Sequence, residues 1–279
     1  MPHLASITPA TRSVRLFMWA AFIFVAAAGL SLFLLSEQTS HFFAWTIQPP
    51  ITAAFLGGGY LAVTTALGLA LREANWASVR VGVWVVATGL VSILIASLLH
   101  LDKFHLHSPI WTAQAWAWSW LTLYVALVPG LMAALWAQWR QPATTPGPGP
   151  ALPLGLRLGQ WTLGGLMVVM GAALFVAPAS AEQLWPWLLT PLTARMVGSF
   201  YLAIGVSLFA AARENDYARI RVASFAYLVF ALLELITVLR YPLVDGWTRP
   251  ALLLAAVLIA LFLLGLIGIH GSLKTRTMP

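Results

Sequence analysis

The chain has 279 residues, of which 61% are hydrophobic and only 8% charged, and its mean hydropathy is +0.87. A water-soluble domain carries about a quarter of its residues as charges, so 15 basic and 8 acidic side chains exclude a soluble globule of 30.2 kDa, and the apolar excess excludes a disordered chain. The net charge of +7 comes with no basic run, so no nucleic-acid partner is expected, and the absence of cysteine excludes disulfides, thiolate metal centres and c-type haem.

A helix needs about 20 apolar residues to cross the hydrocarbon core. Such segments run near 16–35, 52–71, 81–100 and 115–137, and again near 158–178, 192–212, 222–240 and 250–270. A barrel is not expected, because its strands alternate in polarity, whereas Ala251–Gly268 is apolar on every face. Arg12, Arg15 and the small residues Ala26–Ala28 give the first run some look of a signal peptide, but its length marks it as an uncleaved span. With eight spans, one side carries Arg12, Arg15, Arg72, Arg80, Arg140, Arg157, Arg213, Arg219, Arg221, Lys274 and Arg276. The other holds Lys103, Arg195, Arg240 and Arg249. This asymmetry predicts cytoplasmic termini, in a plasma membrane.

The chain reads as two copies of one unit. At a constant offset of 141, Pro50 meets Pro191, Gly57 meets Gly198, and Tyr60-Leu61-Ala62 meets Tyr201-Leu202-Ala203. Further on, Arg72-Glu73 meets Arg213-Glu214 and Arg80-Val81 meets Arg221-Val222. Several of these matches are polar and are not explained by apolar bias. The predicted fold is therefore an all-α polytopic membrane protein, with eight transmembrane helices arranged as two tandem parallel four-helix repeats. Residues 1–140 form the first repeat, 141–156 a solvated Pro/Gly-rich cytoplasmic linker and 157–279 the second repeat.

Four groups of residues stand out. In the second and sixth spans, Ala53-x-x-x-Gly57 and Ala194-x-x-x-Gly198 are small-xxx-small pairs that let helices approach closely. Gly57, Tyr60, Gly198 and Tyr201 would line a groove between the repeats if that approach joins the two units. The short turns after these spans carry Arg72, Glu73 and Arg80, matched by Arg213, Glu214 and Arg221. There the Glu can pair with an Arg across the turn and the Asn or Asp can cap the next helix. A topological staple explains these turns better than an anion site does.

The third span ends in His100-Leu-Asp102-Lys-Phe-His105-Leu-His107. His100, Asp102, His105 and His107 have ligand chemistry for a transition metal. Their spacing is not that of a helical metal motif, so a polar interfacial loop is favoured. Glu234 is the one carboxylate well inside a span, and Arg195 sits about one turn inside the sixth. Since a lone intramembrane charge is costly, an ion pair between Arg195 and Glu234 is expected. The fourteen tryptophans read as aromatic belts at the two interfaces.

No nucleotide-binding loop, nucleophile elbow or other catalytic template is present, and no cofactor is required. The expected partners are the lipid bilayer and, for a subunit of an assembly, other membrane proteins. Three classes of function remain. The first is a transporter-like or lipid- and small-molecule-handling protein, with a non-catalytic subunit of a membrane complex close behind. An enzyme using the His/Asp cluster with a metal is the least favoured. A polar cavity reaching Glu234 would argue for transport, and a filled core for the structural subunit.

Overall fold

The computed structural model describes residues 9–141, 149–243 and 246–277. Hydrocarbon offers no water to backbone amides, and a helix satisfies them within itself. Eight helices among the described residues are long and apolar enough to cross a membrane. They are α1 (Arg12–Leu34), α2 (Pro50–Ala70), α3 (Arg80–Leu98) and α4 (Trp111–Trp139), then α5 (Leu154–Val176), α6 (Pro191–Glu214), α7 (Tyr217–Arg240) and α8 (Arg249–Thr277).

All eight apolar windows find their helix, but several helices outrun their windows. α7 begins at Tyr217 rather than near 222, and α8 continues to Thr277 rather than ending near 270. A hydropathy window sees only the hydrocarbon core, whereas the helix continues where polar side chains are hydrated. Two single-turn α-helices, Thr39–Phe42 and Pro178–Ala181, lie in connections where the sequence indicated no helix.

Local chemistry sets the helix ends. Pro50 and Pro191 occupy the first turns of α2 and α6, where a missing N–H costs nothing. Thr190 and Thr193 form a reciprocal capping box on α6, and Asn215 closes that helix in a left-handed conformation at φ 48°. Asp216 caps α7 by accepting from the Ala218 and Arg219 N–H groups at 2.8 and 3.3 Å.

Packing interlocks the two halves of the chain. α1 lies on α2 and α5 on α6, while α2 packs against α7 and α3 against α6. Consecutive partners α2 and α3, like α6 and α7, touch only slightly. α2 and α6 are the two most buried spans and form the centre. Trp84, Met132, Val169, Leu239 and Ile259 point outward, as lipid-facing side chains do.

The small residues serve the contacts inside each half. A Cβ on Gly57 would lie 2.5 Å from the Phe33 backbone nitrogen of α1, and one on Gly198 would lie 2.7 Å from the Gly171 carbonyl oxygen of α5. Gly57 and Gly198 therefore do not line a groove between the halves, because their faces are filled by the preceding helix. Of the expected linker, 142–148 lies outside the described residues. Gly149 and Leu152 do not extend free into solvent: their N–H groups donate to Asp216 Oδ2 (2.7 Å) and Asn215 Oδ1 (3.0 Å).

Candidate functional site: a buried carboxyl beside an apolar cavity

A cavity of about 140 Å³ lies among α1, α2, α3, α4, α6 and α7. It runs from Val14 and Ala134, near the Arg-rich end of the bundle, to Phe24, Ile93 and Phe230 deeper in. Its walls are almost wholly apolar, and much of its polar lining is already engaged. Tyr60 and Tyr124 share a hydroxyl–hydroxyl bond of 2.8 Å, Ser207 and Tyr227 one of 2.6 Å, and Ser199 donates to the Arg195 carbonyl oxygen at 2.8 Å. Of the four groove residues expected from sequence, Tyr60 alone lines this cavity. Neither Phe200 nor Tyr227 carried a signal to mark it beforehand, because a buried aromatic residue looks the same in sequence whether it fills a core or borders a void.

Glu234 is not among the residues lining that cavity, but it follows one of them, Phe230, by one helical turn. It is fully buried, and neither carboxyl oxygen has a hydrogen-bond partner among the described residues. Its Oε1 lies over Gly58 of α2, only 2.5 Å from where a Cβ on that glycine would stand. Tyr201 of α6 is also fully buried, and its hydroxyl lacks a hydrogen-bond partner among the described residues. A chain of aromatic contacts runs from Tyr201 to Phe230. Trp185 sits edge-on to Tyr201 at 5.5 Å and to Phe55 at 5.2 Å, and Phe55 meets Phe230 at 5.8 Å.

The expected Arg195–Glu234 ion pair does not form. Arg195 Nη1 instead donates to His100 Nε2 at 3.1 Å. The expectation took α6 and α7 for close neighbours because they are consecutive, but α6 packs on α3, which delivers His100, and α7 packs on α2. Since Nε2 accepts from a guanidinium, the His100 Nδ1 carries the proton and donates to the Ala96 carbonyl oxygen at 3.0 Å.

Nor does the metal cluster assemble. Among the described residues no group of three or more His, Asp or Glu side chains could hold a metal ion. Both nitrogens of His105 are engaged, with the Phe43 carbonyl oxygen and the Thr46 hydroxyl, each at 3.0 Å. Asp102 turns outward to Lys103 at 3.0 Å, whose hydrogen bond holds the exposed carboxyl below its ordinary pKa, and His107 is exposed. With His100 held by Arg195, the four side chains serve separate tasks.

The two Arg/Glu turns reach across to each other rather than closing within themselves. Arg80 grips Glu214 through two bonds of 2.5 Å, and Arg221 pairs with Glu73. These pairs are each other's counterpart at the offset of 141. Arg219 adds an in-turn contact to Glu214 at 3.2 Å, while Arg72 and Arg213 are exposed. Asn75 and Asp216 cap at matching positions, through bonds to the Ala77 and Ala218 N–H groups. The tryptophans divide: Trp111, Trp118 and Trp139 are exposed at interfacial positions, but Trp45, Trp120 and Trp185 are buried in aromatic clusters.

No protein-family model matches this chain, and no curated protein or solved structure matches it significantly.

Proposed function

We propose that this protein binds and handles a small apolar molecule within the membrane, as a carrier or lipid-handling protein. The cavity among α1–α4, α6 and α7 is the observation that carries this reading. A hydrated ion or sugar entering it would exchange water for a wall with few free hydrogen-bonding groups, whereas an apolar molecule gives up only unfavourable hydration. A duplicated four-helix unit, with both copies inserted in the same sense and the termini in the cytoplasm of a plasma-membrane protein, is part of the same proposal. The reciprocal pairs Arg80–Glu214 and Arg221–Glu73 support the duplication, and the basic excess of one face supports the orientation.

Photolabelling of the purified protein in lipid nanodiscs with adamantyl diazirine tests the reading. Saturable labelling is expected at Tyr60, Tyr124 and Tyr227, and Gly89→Leu should abolish it. Gly89 borders the cavity, and a Cβ built on it meets nothing closer than Ala203 at 4.0 Å, so a side chain can start there without a clash and take up part of the void. Unsaturable labelling confined to lipid-facing residues such as Trp84 would refute it. A second reading, a non-transporting subunit of a membrane complex, draws support from the closed packing around Glu234, which the cavity does not reach.

A further inference from the structure

Resting on the cavity reading, we propose that Glu234 and Tyr201 form the headgroup end of a binding site for a lipophilic amine whose apolar body occupies the cavity. Ionisable groups fully inside a membrane helix bundle are rare, and among the described residues neither carboxyl oxygen of Glu234 nor the Tyr201 hydroxyl has a hydrogen-bond partner; Nε1 of Trp185, whose ring packs edge-on to Tyr201, lacks one too. The side chain expected to neutralise Glu234, Arg195, is committed to His100.

The two halves of the chain offer an internal comparison. At the offset of 141, Glu234 corresponds to Ile93, and Tyr201 corresponds to Tyr60, whose hydroxyl is satisfied by Tyr124. The unsatisfied carboxyl and the unsatisfied phenol therefore both belong to the second half, and neither of their counterparts in the first half is an unsatisfied polar group.

Ligand chemistry follows from what surrounds them. An ammonium can donate to carboxyl oxygens and to a phenol oxygen, and an aromatic cluster such as Phe55, Trp185 and Phe230 tolerates a cation better than an aliphatic one does. An anion would bring a second acidic group against the carboxyl, and a neutral apolar molecule would leave the carboxyl oxygens unsatisfied. A small inorganic cation would have to exchange its water for aromatic walls. The apolar body has a place nearby: Phe230, Gly59 and Phe200 border the inner end of the cavity, Phe230 one turn before Glu234 and Gly59 adjoining Gly58. Because the cavity does not reach Glu234, an ammonium can meet the carboxyl only if the Phe230 ring turns aside.

1-Aminoadamantane and 1-adamantanol share one cage and differ only in the polar group. At pH 7 the amine carries its proton, as alkylamines do with a pKa near 10. Each is titrated as a competitor of diazirine labelling on the full chain in nanodiscs. The amine should displace label at a concentration about tenfold or more below that of the alcohol. Glu234→Gln should bring the two within about twofold by weakening the amine alone, and Tyr201→Phe should narrow the gap several-fold. Equal competition in the unaltered protein, or a gap that persists in Glu234→Gln, overturns the amine site while leaving the cavity reading intact, because both compounds still displace label. Failure of both compounds to displace a labelling that does not saturate removes the cavity reading as well. If Glu234→Gln does not fold, Tyr201→Phe decides, and an unchanged gap overturns the proposal.

Discussion

Glu234 has no hydrogen-bond partner among the described residues, and it owes its place to Gly58: only a glycine leaves room on α2 for a carboxyl from α7. A buried polar group without a hydrogen bond destabilises the fold by about 1–3 kcal/mol. Glu234→Met, close in volume and apolar, should therefore raise the thermal midpoint of the purified protein while removing discrimination between amine and alcohol. A midpoint that fell would mean the carboxyl is satisfied in the folded protein. Gly58→Ala drives a methyl into that carboxyl and should lower stability by about 1–3 kcal/mol, the usual penalty for overpacking. Gly82→Ala makes the control. A Cβ there meets nothing within 4 Å, so the gain in helix propensity, about 0.5–1 kcal/mol, should stand alone in the same melting experiment.

At the scale of elements, α6 and α7 are separated by a break of two residues. Asn215 ends one helix in the left-handed region and Asp216 starts the next with its side chain. Asp216 is nearly fully buried, and it also accepts the Gly149 N–H, so one carboxylate holds both the start of α7 and the chain leading into α5. Asp216→Ala should destabilise by about 1–2 kcal/mol through the lost cap, and proteolysis ahead of α5 should accelerate in parallel. If cleavage there is unchanged while stability falls, the carboxylate caps α7 without anchoring the Gly149 segment. On the opposite face, Arg195–His100 joins α6 to α3, and the Tyr241 hydroxyl joins the end of α7 to Ser36 and Glu37 at 2.8 and 2.9 Å. Burial, ahead of the bond to Glu37, holds the Tyr241 phenol above its ordinary pKa. The halves are thus clasped at both ends of the bundle.

Across the whole molecule, Arg80–Glu214 and Arg221–Glu73 tie the halves at one face. Arg80 is about one-third exposed, so solvent screening reduces what its pair contributes, and a double-mutant cycle over Arg80→Ala and Glu214→Ala should return a coupling of about 1 kcal/mol. The exchanged pair Arg80→Glu with Glu214→Arg should regain most of the stability that either single reversal loses. Additivity of the two alanine substitutions would show that the clasp is geometric only. Topology can be tested directly because the chain contains no cysteine. Single cysteines at the exposed positions Gln38 and Gln141 should react with an impermeant maleimide from opposite sides of the membrane, and labelling from the same side would refute the span arrangement.

What the residues alone determined is the solvent each segment prefers. Apolar length specifies a helix that can cross a membrane wherever its neighbours lie, so all eight spans were legible, as was the offset of 141 between matching residues such as Arg80 and Arg221. The Asn75 and Asp216 caps were legible too, because a cap acts within a few residues of itself. Which helices touch was not legible. In hydrocarbon every apolar face is equally content against lipid, so hydropathy ranks no helix partner above another, and chain order suggested α6 beside α7. Tertiary packing decided otherwise. By placing α3 on α6 and α2 on α7, it gave Arg195 to His100, sent the Arg/Glu pairs across the halves, and left Glu234 over Gly58. The cavity was equally hidden, since a void belongs to no residue and arises only where six helices fail to fill the space between them.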